Sequence, residues 1–251
     1  MPVAKTTWFV FGCVLVVMTL SVTVFRYSPN SAQSDQPRVR PGKQLTHDEL
    51  VKRYPTAEFD DPEPADPAQR AALKARKLRN NEPTFGEPSL EDGAIGWFPE
   101  KNFDFPALPV NESDMIVVSQ VLGARAHRSE NKRSVFSEFD VSVDEVLKGQ
   151  SFTVNGPKVI VIERTGGYVR YPGGRKVLFF VQGYGMPTVG TRNVFFLKAV
   201  NSGFRIVTVY ELNPDGVLPL DLANQFQRFQ GEKESVFLDT LRQAITNTRP
   251  Q

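Results

Sequence analysis

The chain holds one cysteine and two histidines. A single thiol cannot close an internal disulfide, so no disulfide framework staples the fold. Cys13, His47 and His127 together cannot supply a Cys/His zinc cluster. They also leave His47 and His127 as the sole candidates for a histidine base. Charge of one sign is not in excess: 30 basic residues stand against 28 acidic ones, a formal net charge of +2. That balance argues against a nucleic-acid binder driven by bulk charge. Catalytic signatures are equally scarce. No serine sits in a G-x-S-x-G elbow. The glycines of GYGMPTVG (183–190) lack the Lys-Ser/Thr that ends a phosphate loop, so they read as turns. No catalytic residue, cofactor site or metal site is assigned from the sequence.

Charge is also missing from Lys5 to Arg26, and TTWFVFGCVLVVMTLSVTVF (6–25) fills the gap. About 20 residues span roughly 30 Å as a helix, the thickness of a bilayer core. Trp8 and Phe25-Arg26-Tyr27 mark its ends as interfacial anchors do. A transmembrane anchor over 6–26, after a short tail of 1–5, is therefore expected. A cleaved secretory signal fits less well, because the run is long and Ser28-Pro29-Asn30-Ser31-Ala32 is a poor cleavage site. Cys13 loosely completes a lipobox but lies near the start of the run, where it reads as a small apolar residue. Arg26, Arg38, Arg40 and Lys43 would keep the C-terminal part in the cytoplasm by the positive-inside rule. A short basic stretch before a first apolar segment is nevertheless the usual export signal, and large domains cross largely regardless of charge. The expectation is a single-pass protein of the inner (cytoplasmic) membrane with an extracytoplasmic C-terminal domain.

Residues 27–101 carry Pro29, Pro37, Pro41, Pro55, Pro62, Pro64, Pro67, Pro83, Pro88 and Pro99. Such density disfavours regular structure and reads as a tether with short helices. Thr46 can cap a helix over LTHDELVKRY with Glu49 completing a capping box. Asp66 can cap a second helix from Pro67 through AQRAALKARKLR. Leu73 and Leu78 are its only large apolar residues, so it is expected to be solvated or loosely docked. Its basic residues Arg70, Lys74, Arg76, Lys77 and Arg79 read as a solvated face, with loose attraction to anionic lipid as the alternative.

From 102 to 251 the pattern turns to β. MIVVSQVLGARAH (115–127) opens on a buried apolar run. In FSEFDVSVD (136–144), Phe139, Val141 and Val143 face one side and Glu138, Asp140, Ser142 and Asp144 the other, which predicts a half-buried strand with one wet face. The phase breaks at Glu145-Val146-Leu147, as a bulge would make it. KVIVIER (158–164), apolar on both faces, predicts a central strand. KVLFFVQ (176–182), NVFFLKAV (193–200) and FRIVTVYEL (204–212) add three strands, the last two joined as a hairpin at Asn201-Ser202-Gly203. A short strand at 216–220 and a helix over about 232–247 complete the chain. Phe237, Leu241 and Ile245, with Leu238 beside them, give that helix one apolar face.

Ser113-Asp114-Met115-Ile116-Val117-Val118-Ser119-Gln120-Val121 resembles the "ADVVVVGxV" opening of bacterial secreted or membrane-anchored domains of unknown function. Val141-Ser142-Val143-Asp144-Glu145-Val146-Leu147-Lys148-Gly149 resembles their "VxVxEVLKG" strand. Those domains are similar to netrin/TIMP-like OB barrels. Over 113–212 the resemblance implies a mainly β fold: an OB-like antiparallel barrel of five to seven strands, followed here by the C-terminal helix. Netrin-like modules are pinned by disulfides, and their inhibitors place an N-terminal cysteine on a metal. This domain has no cysteine, so inhibitor function does not carry over.

Two surfaces are candidates for recognition. GGYVRYPGG (166–174) predicts a hairpin tip that presents Tyr168, Arg170 and Tyr171, and aromatics with Arg dominate binding energy. The 125–133 loop gathers Arg125, Arg128, Lys132 and Arg133 against Glu130, and an anionic polymer or lipid head group would suit it. Both also read as ordinary surface. His127 reads as a surface or hairpin histidine. Glu138, Asp140 and Asp144 read as solvated strand polarity, though paired carboxylates can serve acid–base chemistry or bind Ca²⁺. The function expected is a noncatalytic β-domain for protein–protein interaction or scaffolding in the cell envelope. The rivals are a carboxylate-dependent envelope hydrolase, and an OB domain binding an anionic polymer or nucleic acid.

Overall fold

Each long strand in the β-region is built from β-branched and aromatic residues, and the apolar positions on each strand follow from what covers each of its faces. The computed structural model describes residues 49, 51–81, 104–149, 158–201 and 203–248, with the backbone alone of 95–98 and 158. Its elements are β1 (Thr56–Glu58), α1 (Pro67–Arg79), β2 (Ile95–Phe98), β3 (Met115–Arg128), β4 (Val135–Lys148), β5 (Lys158–Thr165), β6 (Gly167–Arg170), β7 (Lys176–Val181), β8 (Arg192–Val200), β9 (Gly203–Asn213), β10 (Gly216–Pro219), α2 (Asn224–Gln227) and α3 (Glu234–Thr248). The expected anchor 6–26, its competing signal and lipobox readings, Cys13, His47 and the Thr46 cap lie outside the described residues. Among the described residues no helix is long and apolar enough to cross a membrane.

The chain is mainly β and ends in a helix. Six strands run in the order β10-β9-β5-β4-β3-β8, and β8 pairs again with β9. A second sheet runs β1-β6-β7-β2. Most pairings are antiparallel. The exceptions are β5–β9, β1–β6 and β2–β7, which are parallel. Among the described residues eight strands fall within 102–251, against the five to seven expected. The extra one is β6, whose residues Gly167–Arg170 pair with β7 within the segment expected to form only a hairpin tip. The expected hairpin at 201–203 is present, with Val200 opposite Gly203.

The apolar run that opens β3 is explained by cover on both faces. Ile116 and Val118 join one core with Val194, Phe196 and Tyr210, and that core is closed by Phe237, Leu238, Leu241 and Ile245 of α3. Met115, Val117 and Val121 join the other with Phe139, Val141, Ile162, Phe195 and Val209. A strand between two apolar layers has no wet side, hence no alternation. The phase break in β4 is a pair of register shifts. Val146 stands opposite Val117 and Lys148 opposite Ile116, which leaves Leu147 extra; Glu145 and Val143 oppose Val118 and Ser119, which leaves Asp144 extra.

Part of the segment read as a tether is packed on this domain. Tyr54 is buried in the second core, and its hydroxyl donates to the Tyr184 carbonyl at 2.8 Å. Gly166 (φ 114°) turns the chain from β5 into β6, and a Cβ there would come within 2.8 Å of the Tyr54 ring. Arg53 pairs with Glu211 at 2.6 Å. The α1 helix starts as expected, with Pro67 in its first turn and Asp66 accepting from the Ala68 amide at 3.0 Å. It is docked rather than solvated. Leu73 is buried, Arg76 pairs with Glu138, and Arg79 pairs with Glu163 at 2.5 Å. Docking by arginines needs little apolar surface, which is why the thin apolar face of α1 misleads.

Candidate functional site

Phe59 follows β1, and its amide donates to the Arg170 carbonyl at 3.0 Å, which continues the β1–β6 ladder by one residue. That places its ring against Tyr171, at 5.0 Å between centroids. Tyr171 opens the β6–β7 turn: its amide donates to the Arg175 carbonyl at 2.8 Å and its carbonyl accepts from the Gly174 amide at 3.0 Å. Arg128 ends β3 and lays its guanidinium 4.4 Å from the Phe59 centroid and 6.0 Å from that of Tyr171. It is fixed there by donating to the carbonyls of Phe59 (3.3 Å) and Lys132 (3.0 Å). Lys132 sits in the β3–β4 turn at φ 60°, a left-handed conformation uncommon outside glycine, with its ammonium 5.9 Å from the Phe59 centroid. Arg175 flanks the other end, 5.7 Å from Tyr171.

The result is a ladder of aromatics and cations packed side by side along one edge of the domain. Beside it lies a cleft of about 260 Å³ lined by Phe59, Asp60, Asp61, Lys77, Arg128 and Lys132 among others. Its lining mixes three cations (Lys77, Arg128, Lys132) with the carboxylates of Asp60, Asp61 and Glu130. Such a lining favours no simple anion.

Of the seven sequence candidates, Arg128, Lys132 and Tyr171 converge in this ladder. Tyr168 does not: it is half-buried within β6 against the second core, and burial pushes its phenol up from the ordinary value. Arg170 is exposed and paired with Glu58 at 2.8 Å across β1–β6. Arg133 is exposed in the β3–β4 turn. Arg125 belongs to a different group, beneath α1, where it donates to Glu138 at 3.0 Å and to Asp140.

That group overturns two readings. On the β4 face expected to be wet, Glu138 is wholly buried, whereas Asp140 and Ser142 are half-buried and Asp144 is exposed. His127 is not a surface residue but is 7% exposed. Its Nδ1 lies 2.6 Å from Asp61 Oδ2, and its Nε2 lies 3.4 Å from Glu138 Oε2. Asp61 also pairs with Lys77 at 3.1 Å, and Glu138 with Arg76 and Arg125. Burial alone would raise the Glu138 pKa, but the neighbouring His127 and the charges of Arg76 and Arg125 hold it at about 2. A carboxyl so held is ionised near neutrality and cannot act there as a general acid. Glu163 is likewise claimed, by Arg79 and Arg205. Among the described residues no group of three or more His, Cys, Asp or Glu is arranged to hold a metal ion.

Sequence reasoning missed Phe59, Asp61, Arg76 and Arg79 as partners of these groups. The isolated apolar positions around Tyr54 and Phe59, inside an otherwise polar stretch, were the one available signal that 54–59 packs on the domain. No protein-family model matches the chain, and comparison with curated proteins finds none that is similar.

Proposed function

We propose that the chain is a single-pass bacterial membrane protein. In this reading its noncatalytic OB-like β-domain binds a protein partner in the cell envelope. The ladder Arg175–Tyr171–Phe59–Arg128 carries the reading. Packed aromatics and guanidinium groups give much contact area at little entropic cost, and Tyr and Arg are enriched among binding hot spots. The barrel is supported by the pairing path β9-β5-β4-β3-β8, which returns to β9: five strands closed on themselves, as an OB barrel requires. The family resemblance gains support from register, because its two motif segments lie side by side, with Val121 opposite Val141 and Val117 opposite Val146. The buried acidic residues under α1 offer nothing to a nucleic-acid strand, which favours a protein partner over the polymer reading.

Crosslinking from the native membrane tests the recognition claim. Tyr171→Ala and Arg128→Ala are each expected to weaken partner capture by roughly tenfold or more. Lys233→Ala, on an exposed residue just before α3, should leave it unchanged. Capture that survives both ladder substitutions overturns the claim. Topology is tested separately by adding protease to spheroplasts. An exported domain is digested, and a domain that stays intact until the membrane is broken places it inside the cell.

A further inference from the structure

His127 stands between two carboxylates that belong to different parts of the fold. Asp61 comes from the loop joining β1 to α1, while Glu138 lies on β4 in the sheet. We propose that His127 is a protonation-controlled latch that holds α1 and the loop before it against the outer face of β4 and β5.

An imidazolium carries a proton on each nitrogen and can satisfy both carboxylates, through Nδ1 to Asp61 and through Nε2 to Glu138. Neutral imidazole has one proton. Whichever nitrogen loses it turns a lone pair toward a carboxylate, and an unpaired polar contact in a buried site is destabilising. The Nε2 side is the weaker contact, since 3.4 Å is too long for a strong hydrogen bond, and that nitrogen is buried without a hydrogen-bond partner. Only charge makes it attractive. Everything packed around the ring bears on its titration. From the loop and α1 come Asp61, Arg76 and Lys77; from β3, Arg125; from β4, Glu138 and the Phe136 ring, 5.5 Å away. Asp140 lies one step out through Arg125, and Asp60 and Glu130 stand exposed at the cleft margin.

Burial lowers the His127 pKa, but the bond to Asp61 and the charges of Glu138 and Asp61 outweigh it, so the net displacement is upward. A histidine raised on folding contributes stability that is complete below its unfolded value of about 6.5 and is lost as pH rises through its folded value. The latch is therefore closed in mild acid and weakens as pH rises through the raised folded value. The ion pairs of Arg76 with Glu138, Lys77 with Asp61 and Arg79 with Glu163 do not involve the imidazole, so α1 loosens without leaving. Asp61 is two residues from Phe59, so loosening reaches the ladder as well. That consequence rests on the recognition reading; the latch itself does not.

The test is hydrogen exchange on the full chain at pH about 6 and about 8.5, corrected for intrinsic amide rates. Amides of α1 after Pro67 are expected to lose protection by on the order of tenfold between the two, with β3 and β8 unchanged. His127→Gln keeps one donor and no charge, and should show low α1 protection at both pH values. Asp61→Asn leaves the sheet intact and should likewise abolish the pH response, which serves if His127→Gln does not fold. Protection independent of pH in the unmodified chain overturns the latch. So does a pH response that persists in either variant, or one spread evenly over the domain. Partner capture is not read in this assay, so a failure of the recognition reading and a failure of the latch are distinguishable.

Discussion

Asp221→Ala is expected to destabilise the chain by about 3–5 kcal/mol, visible as a lowered urea midpoint with an unchanged slope. Asp221 is fully buried just after β10. Its Oδ2 accepts from Arg164 Nη2 at 2.7 Å and from the Thr208 hydroxyl at 2.8 Å, and its Oδ1 accepts from the Gly185 amide at 3.2 Å. Arg164, 1% exposed, also donates to the Gly185 carbonyl at 2.6 Å and stacks 4.2 Å from the Tyr184 ring centroid. One carboxylate thus joins β5, the β7–β8 loop, β9 and the segment after β10. Burial still pushes the Asp221 pKa above its ordinary value despite Arg164. The pair is therefore costly to bury and costlier to break, because the alanine variant leaves a guanidinium in the core without its counter-charge. Arg164→Met combined with Asp221→Leu removes both charges and should recover part of the loss. A double variant no better than the single one would mean that the bonds to Thr208 and Gly185, rather than the charges, account for the cost.

The same clamp shows what a single sequence can disclose. KVIVIER reads correctly as a central strand, because hydrophobic period is a local signal, and β5 does lie between β4 and β9. That Glu163 and Arg164 are both buried on it is not local at all. Glu163 meets Arg79 from 84 positions earlier, and Arg164 meets Asp221 from 57 positions later. Charged residues carry no periodicity that names their partners. The inward side of β4 was legible in Phe139 and Val141, both wholly buried. Its outward side was not, since Glu138 looks the same in sequence whether water or α1 covers it. In α1 the cap at Asp66 was legible and the docking was not: Leu73 is buried while Leu78 is 50% exposed, so its apolar pattern hardly differs from that of a free helix. The candidate site divides along the same line. Arg128, Lys132 and Tyr171 follow from composition and turn chemistry. Phe59, which joins them, follows only from the parallel pairing of β1 with β6, a contact across 112 positions between Glu58 and Arg170.

Phe237→Ala is expected to cost about 3–5 kcal/mol, against less than about 0.5 kcal/mol for Val236→Ala beside it. Val236 is 47% exposed, whereas Phe237 is wholly buried. Its ring lies 4.9 Å from Tyr210 and meets Phe229 edge-on at 5.2 Å. Tyr210 is itself ringed by Phe196, Phe226 and Phe229, and its hydroxyl donates to the Ala107 carbonyl. Removing the Phe237 ring opens a hole at the centre of this aromatic cluster, and little around it can collapse inward. Leu241 is fully buried and Ile245 nearly so, on the same face, so α3 is held by several side chains and should not detach when one is cut back. A single unfolding transition with a lower midpoint is therefore expected. Early loss of helical signal, ahead of the tertiary signal from the tyrosines, would instead make α3 a separately stable unit. The outer layer over β3, β8 and β9 would then be an accessory to the β-domain rather than part of its cooperative core.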